Sequence, residues 1–434
     1  MSRRIFTSVT ASVVVTTVAF TVGCSSSKSS GDSGPASSAA GKTTKVEWPA
    51  PAGGNGGATA HGVTATEIKV GTLDSATGPL PSVTAAAYKG AAAYFAYVNS
   101  VGGVYGRRII GHEADDGFDS TKGGAACTSM ESSDFAIVGS LGVGDTGCQT
   151  SVKSSGIPWI GGAVNPLLLT LPNVYSADQG NGFGVSDAPY LEWLKLHPSQ
   201  KKVAVIWPDV AGISVLLQPY VGAMKKAGYD VVYKQSFSVT SPNLTPNIVS
   251  MRKSGADVVF AAFVDVTSLG RVAQAMSQQG WQPPLRMGTN LYTEQWSKVA
   301  GDAAKGWQAS VQYPYLDEKE LSVIPGGRLF NEWYGKTAKG APVDAFAMIG
   351  WTNAALFVQG LVAAGPQLTS AKLLAAIKDV HSFDAGGLQG PVDVGTKAVS
   401  NCFVIVSANG KKFDRVWPTQ SGKIECSMGE AVNQ

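Results

Sequence analysis

The sequence predicts an α/β protein of two lobes, each built on a largely parallel sheet covered by helices. Three observations point there. About 370 of the 434 residues follow an apolar leader and a small-residue stretch, more than one hydrophobic core usually organises. Short, near-continuous apolar strands alternate with helical patterns over most of that length, as in parallel sheets buried on both faces. The alternation also runs twice, which gives two Rossmann-like lobes whose strand ends face a shared cleft.

The elements follow in order. Ile68 to Leu73 reads as a first strand and Ser75 to Pro79 as a loop. A helix then places Tyr88, Ala91, Ala92, Phe95 and Val98 on one face and stops at Gly102-Gly103. Arg108 to Ile110 opens a second strand, Thr121 to Glu131 is helical, and Phe135 to Val138 and Gly156 to Ile160 are strands. Downstream, strands at Val203–Trp207, Val231–Tyr233, Asp257–Phe263 and Leu285–Gly288 alternate with helices at Ile213–Ala227, Thr245–Ser254 and Ser268–Gln279. Two helices, Phe346–Ala364 and Ala371–Lys378, precede a hairpin of Phe403–Val406 and Lys412–Val416 turned at Asn409-Gly410.

The first residues carry an address rather than a fold. Arg3 and Arg4, an uncharged run from Ile5 to Val22, and Gly23 have the order of a secretory leader. Cys24 directly after the small residue resembles the bacterial lipobox, with Thr21 where Leu or Val is usual, and implies lipidation at Cys24. The run is also about the ~20 residues of a membrane span. The serine- and glycine-rich stretch that follows favours the anchored lipoprotein. Residues 1–23 are thus expected as signal peptide and 24–65 as a flexible tether, with too few bulky side chains to offset chain entropy.

Composition excludes several classes. The net charge of +3 is nearly balanced, and no basic block or RNA-binding aromatic motif is present, so nucleic acid is not expected as a partner. Mean hydropathy is +0.06, as in a soluble body. Apart from Cys24, the cysteines are Cys127, Cys148, Cys402 and Cys426, an even number in an exported chain. Nearest-neighbour pairing gives Cys127–Cys148 and Cys402–Cys426, one of three connectivities. No CxxC is present and His61, His112, His197 and His381 are scattered, so no metal site is expected.

Several segments resemble the leucine/isoleucine/valine-binding class of ABC-transporter solute-binding proteins. They are Glu67 to Leu73 with Thr77-Gly78-Pro79, Asn99 to Arg107, Asp115-Asp116, Ile137 to Ser140, Gly156-Ile157-Pro158, Asn165-Pro166, Gly255 to Phe260 and Gly301 to Gly306, in the family's order. The resemblance implies a type I periplasmic binding protein with three crossovers. Lobe 1 is then about 66–186 plus 314–392, and lobe 2 about 187–313 plus 393–434. It favours the Cys127–Cys148 bridge beside the first ligand loop. It implies an extracytoplasmic receptor that delivers a small solute to a membrane permease, with no catalysis and no cofactor; the lipid anchor is expected from Cys24, and the receptor is expected as a monomer. A ligand sensor of the same fold is the alternative, as is a branched-chain amino acid binder with a rearranged ammonium site.

The family's amino-acid binders hold the ligand carboxylate with hydroxyls and backbone N–H groups of two lobe 1 loops, and the ammonium with a lobe 2 acid. Here the first loop carries Gly142, Val143, Asp145 and Thr146, with Val143 where a serine is expected. The second carries Gly162, Ala163, Val164 and Asn165, with Val164 where a threonine is expected. The lobe 2 acid falls at neutral Asn290, which leaves Asp145 and Asp265 as the acids at hand. An unpaired ammonium in a closed cleft is costly. The expected ligand is therefore a small hydrophobic or aromatic solute, with a carboxylate held by backbone N–H groups at helix N-termini. Ser75, Trp207, Phe263, Tyr292 and Phe346 complete the expected set, with Trp159 at a loop end as well. For any single ring a core role competes evenly.

Other signals lead elsewhere. Gly142-x-Gly144-x-x-Gly147 satisfies a dinucleotide fingerprint, but the export leader and the missing acid of the next βα unit oppose it. Asp115 to Asp119 lacks the alternating ligands of a calcium loop and reads as a helix N-terminus capped by Asp119 or Ser120. No HExxH or G-x-S-x-G occurs. Tyr313-Pro314-Tyr315 falls where a hinge is expected.

Overall fold

A computed structural model describes residues 46–78, 86–178, 184–210, 213–314 and 318–432. The leader, Cys24, Tyr315 and the first half of the expected tether lie outside the described residues.

Two sheets organise the chain. The first has β1 (Glu67–Asp74), β2 (Arg108–Asp115), β3 (Ala136–Val138), β4 (Trp159–Ile160) and β5 (Val174–Tyr175), all parallel in the order β2-β1-β3-β4-β5. After a short strand β6 (Val185–Ser186), the second sheet has β7 (Lys202–Pro208), β8 (Asp230–Phe237), β9 (Val258–Ala261), β10 (Leu285–Gly288), β11 (Trp307–Val311), β12 (Val404–Ala408) and β13 (Phe413–Trp417). Its order is β13-β12-β11-β10-β9-β7-β8, parallel except for β12 and β13. A final strand β14 (Ala431–Val432) pairs with β6.

The helices associated with the first sheet are α1 (Ala86–Ser100), α2 (Ser120–Ser133), α3 (Gln149–Ser155) and α4 (Pro166–Leu169). The middle of the chain carries α5 (Ala188–Leu196), α6 (Ile213–Leu216), α7 (Gln218–Ala227), α8 (Thr245–Lys253), α9 (Val266–Gln278) and α10 (Trp296–Ala300). Then come α11 (Glu318–Val323), α12 (Pro325–Thr337), α13 (Ala345–Ala364) and α14 (Ser370–Lys378). Strand β11 and helices α5 and α12 were not expected. Trp307 to Val311 mixes Gln308 and Ser310 with apolar residues, and only its place between β10 and β12 makes it a strand.

Helix α13 is long and apolar enough to cross a membrane, yet nearly all of its residues from Ala347 to Leu361 are buried in protein, so it is a core helix. It crosses α1 at two glycines. A Cβ on Gly90 would lie 1.9 Å from the Ala347 carbonyl oxygen, and one on Gly350 1.8 Å from that of Ala87. The backbones touch there, and Asp344 and Phe346 at the start of α13 take their positions from that contact.

Residues 46–65 differ from the expected tether. Trp48 bridges Val104, and its carbonyl accepts from the Tyr105 N–H at 2.9 Å. Arg107, 1% exposed, donates to the carbonyls of Asn55, Gly57, Thr64 and Pro366. The small residues that suggested flexibility are held because one buried guanidinium gathers their carbonyls.

Gly350→Ala is expected to destabilise the protein by roughly 1–3 kcal/mol through overpacking, despite alanine's better helix propensity. Urea unfolding of the purified chain checks this; an unchanged or raised midpoint would mean that α1 and α13 can separate freely.

Candidate functional site

The strand ends of the first sheet feed three loops whose backbone amides are met from within. At the end of β1, the Ser75 hydroxyl donates to Asp116 Oδ1 at 2.6 Å and accepts from the Val143 N–H at 2.8 Å. Asp116 Oδ2 accepts from the Gly144 N–H at 2.8 Å, and its Oδ1 also from Phe118. Asp145 reaches across to the next loop. Its Oδ2 accepts from the Val164 N–H at 2.6 Å and its Oδ1 from that of Asn165 at 3.0 Å. Asn165 in turn caps α4 through the Leu167 N–H. Ser75, Asp116 and Asp145 are all fully buried. Burial pushes the Asp145 carboxyl up to about 8, against the lowering effect of the Val164 and Asn165 amides, and nearby Asp116 adds to the rise.

This corrects two expectations. The lobe 1 amides at 143, 144, 164 and 165 do not wait for a ligand carboxylate, because protein oxygens hold them. Asp145 is likewise engaged with its own chain rather than placed as an ammonium partner. The glycine motif also has a packing cause. A Cβ on Gly142, Gly144 or Gly147 would meet Asp116 Oδ2 at 2.3 Å, the Asp119 carbonyl at 2.6 Å or that of Ser120 at 1.8 Å. The loop is pressed onto the start of α2, whose N-cap is Asp119. The Cys127–Cys148 disulfide pins it there, and Cys402–Cys426 is the second bridge.

The second sheet offers a different surface. Phe263, just past β9, has φ of 56°, a left-handed conformation that is strained for a bulky residue. Its N–H donates to Thr289 Oγ1 at 2.8 Å, which ties the ends of β9 and β10 together. Its ring meets Tyr220 edge-on at 5.1 Å, and Tyr220 stacks on Phe260 at 6.0 Å. Trp207, Tyr220 and Phe263 are all half-buried against one apolar cluster. Asp265 caps α9 with Oδ1, while its buried Oδ2 has no hydrogen-bond partner among the described residues.

The remaining expected residues are dispersed in character. Asn290 and Val164 are half-buried, Thr146 is exposed, and Gly162 and Ala163 are buried. Tyr292 is 4% exposed and packs edge-on to Phe413 at 4.9 Å, which makes it core. Trp159 is fully buried and donates to the Gly162 carbonyl, so it too is core. Phe346 is half-buried in the first turn of α13, beside the N-cap Asp344, whose carboxyl burial pushes up to about 6. One hydrophobic cluster takes in Leu141 from the first set of loops, Leu291 and Tyr292 from the second, and Met348 and Ile349 of α13. A groove lined by Tyr88, Phe95, Asn99 and Arg108 lies between α1 and β2 and includes none of these loop residues.

Sequence reasoning missed Tyr220 and the polar seat of the crossovers. Asn353 Oδ1 accepts from the Ala177 N–H at 2.9 Å, and Gln389 Nε2 donates to the Ala177 carbonyl at 2.8 Å. Gln312 reaches Gln389, and the Tyr313 hydroxyl faces Thr352 at 3.4 Å. Segments near 177, 312 and 389 thus meet on α13. The buried Thr352-Asn353 pair inside a largely apolar helix was the available signal.

The family described as periplasmic binding protein matches residues 67–412. No curated protein matches the chain. Among solved structures, a fatty acid ABC transporter substrate-binding protein from Thermomonospora curvata is 21% identical, with a TM-score of 0.69 over 89% of this chain and 96% of that one. The leucine-binding protein LivK from Thermotoga maritima is 14% identical, with a TM-score of 0.65 over 83% and 99%. An ABC transporter solute-binding protein from R. palustris in complex with benzoate is 21% identical, with a TM-score of 0.64 over 81% and 95%. At these identities the likeness is one of fold.

Replacing Cys127 and Cys148 together by serine is expected to cost about 3 kcal/mol, from the entropy of the loop they close. Denaturant unfolding of the double variant measures this. A loss well below 1 kcal/mol would mean that the glycine contacts alone hold the 142–148 loop.

Proposed function

The chain belongs to the periplasmic binding protein family, and from that premise we propose that it is the solute receptor of an ABC importer, anchored through Cys24 outside the cytoplasmic membrane. Lobe 1 comprises about 66–186 and 314–392 and lobe 2 about 187–313 and 393–434, with the solute held between the strand-end loops. Hinge closure over the solute forms the shape that the permease recognises. The solute has a small hydrophobic or aromatic body and is not a simple α-amino acid.

The observation that carries this reading is the Trp207, Tyr220 and Phe263 surface at the strand ends of the second sheet. Strained non-glycine backbone is retained where the surroundings enforce it, and Phe263 is held by Thr289 and Tyr220 in that state. An aromatic wall with few polar groups suits an apolar guest. Asn290 is neutral where an ammonium would need an acid, and Asp145 is already engaged. The fatty acid and benzoate proteins among the similar structures belong to the same range of chemistry.

A panel of aromatic and aliphatic solutes, read by thermal shift and tryptophan fluorescence, tests the proposal. Small-angle scattering should then report a more compact particle with the solute that binds. Leucine should give little or no shift, and a leucine Kd in the micromolar range or below would overturn the solute class. Trp207→Ala and Phe263→Ala should each weaken the bound solute about tenfold or more, a loss of ~1.4 kcal/mol. They should move the melting temperature by no more than about 3 °C; equal damage to fold and affinity would assign both rings to the core.

A further inference from the structure

We propose that Asp145 is a specificity-determining residue: its carboxylate occupies the place between the two lobe 1 loops that a ligand carboxylate would need, so the solute is one without a carboxylate directed at lobe 1. This rests on the solute-binding reading above.

Backbone donors decide what these two loops can hold. Four backbone amides in the two loops, at Val143, Gly144, Val164 and Asn165, are the donors with which such loops would hold an anion. Each is taken by a protein oxygen, from Ser75, Asp116 or Asp145, at 2.6–3.0 Å. Asp145 alone closes the second loop, and it does so with both of its oxygens from a fully buried position. Among the described residues no lysine or arginine side chain bonds to Asp116 or Asp145. An entering carboxylate would find these N–H groups already satisfied and the place between the loops filled by the Asp145 side chain, an arrangement that rejects it. Glutamate at 145 would not fit the same span, because the additional methylene moves the oxygens away from the Val164 and Asn165 amides.

Asp145→Ala removes the internal carboxylate and leaves both amides bare. The variant should melt about 5 °C or more below the wild type. Sodium formate, a free carboxylate of the right size, should then raise its melting temperature by roughly 3 °C while leaving the wild type unmoved. Formamide at the same concentration should do neither, and benzoate should bind the variant more tightly than the wild type. Rescue by formate and formamide alike, no rescue of a folded variant, or benzoate binding to the wild type at least as tight as to the variant would each overturn the proposal. If Asp145→Ala does not fold, wild-type amide exchange decides: protection at Val164 and Asn165 that benzoate leaves unchanged supports it, and fast exchange that benzoate slows overturns it. Solute-driven compaction in scattering belongs to the receptor reading alone. Its absence alongside a working formate rescue would remove that reading and leave the place of Asp145 intact.

Discussion

A buried peptide group must have a hydrogen-bond partner, and that constraint shapes this molecule more than any single contact. Parallel strands satisfy their own backbone only along the ladder. Where β1, β3 and β4 end, the chain turns inside the protein and its amides are left without a strand neighbour. Ser75, Asp116 and Asp145 supply the missing acceptors. Arg107 does the converse for residues 46–65 by supplying donors to three of their carbonyls, and to that of Pro366. In both places a buried polar side chain is tolerated because it hydrogen-bonds several backbone groups.

The same rule holds where the chain runs between the two sheets. Chain that passes between two sheets cannot join either ladder, so its peptides need side-chain partners. Asn353 and Gln389 hold the two sides of Ala177, and Gln312 and Tyr313 join them on α13. Helix α13 is itself fixed against α1 by the Gly90–Gly350 approach. Asp344 caps that helix and Phe346 lies in its first turn. Rigid backbone contact on one side and a small polar network on the other suit the hinge closure proposed above, in which a joint's hydrogen bonds are exchanged rather than lost.

Much of the fold was legible because it rests on short-range pattern. Apolar runs at Ile68–Leu73, Val203–Trp207 and Leu285–Gly288 became strands within a residue or two, and the Asn409-Gly410 turn closed the hairpin as expected. Strand β11 escaped because Gln308 and Ser310 interrupt the pattern, and burial of Gln308 against Trp193 is a tertiary fact. Residues 46–65 escaped because Gly, Ala and Pro read as flexible unless a distant residue gathers the carbonyls of the segment. The site was legible in its loops but not in its roles. Asp145 looked available to a ligand because nothing local reveals that it reaches Val164, nineteen residues on.

The sequence by itself determined the alternation of strands and helices, the two-lobed plan and the set of loops at the strand ends, because periodicity, turn residues and composition are properties of neighbours in the chain. Only the tertiary structure decided which hydrogen-bonding groups those loops leave open, that Tyr292 and Trp159 are core while Phe263 is strained beside Tyr220, and that three distant segments share one seat on α13. Those outcomes depend on which donors and acceptors meet across long separations, and an amide's partner is fixed by where the chain returns, not by the residues beside it.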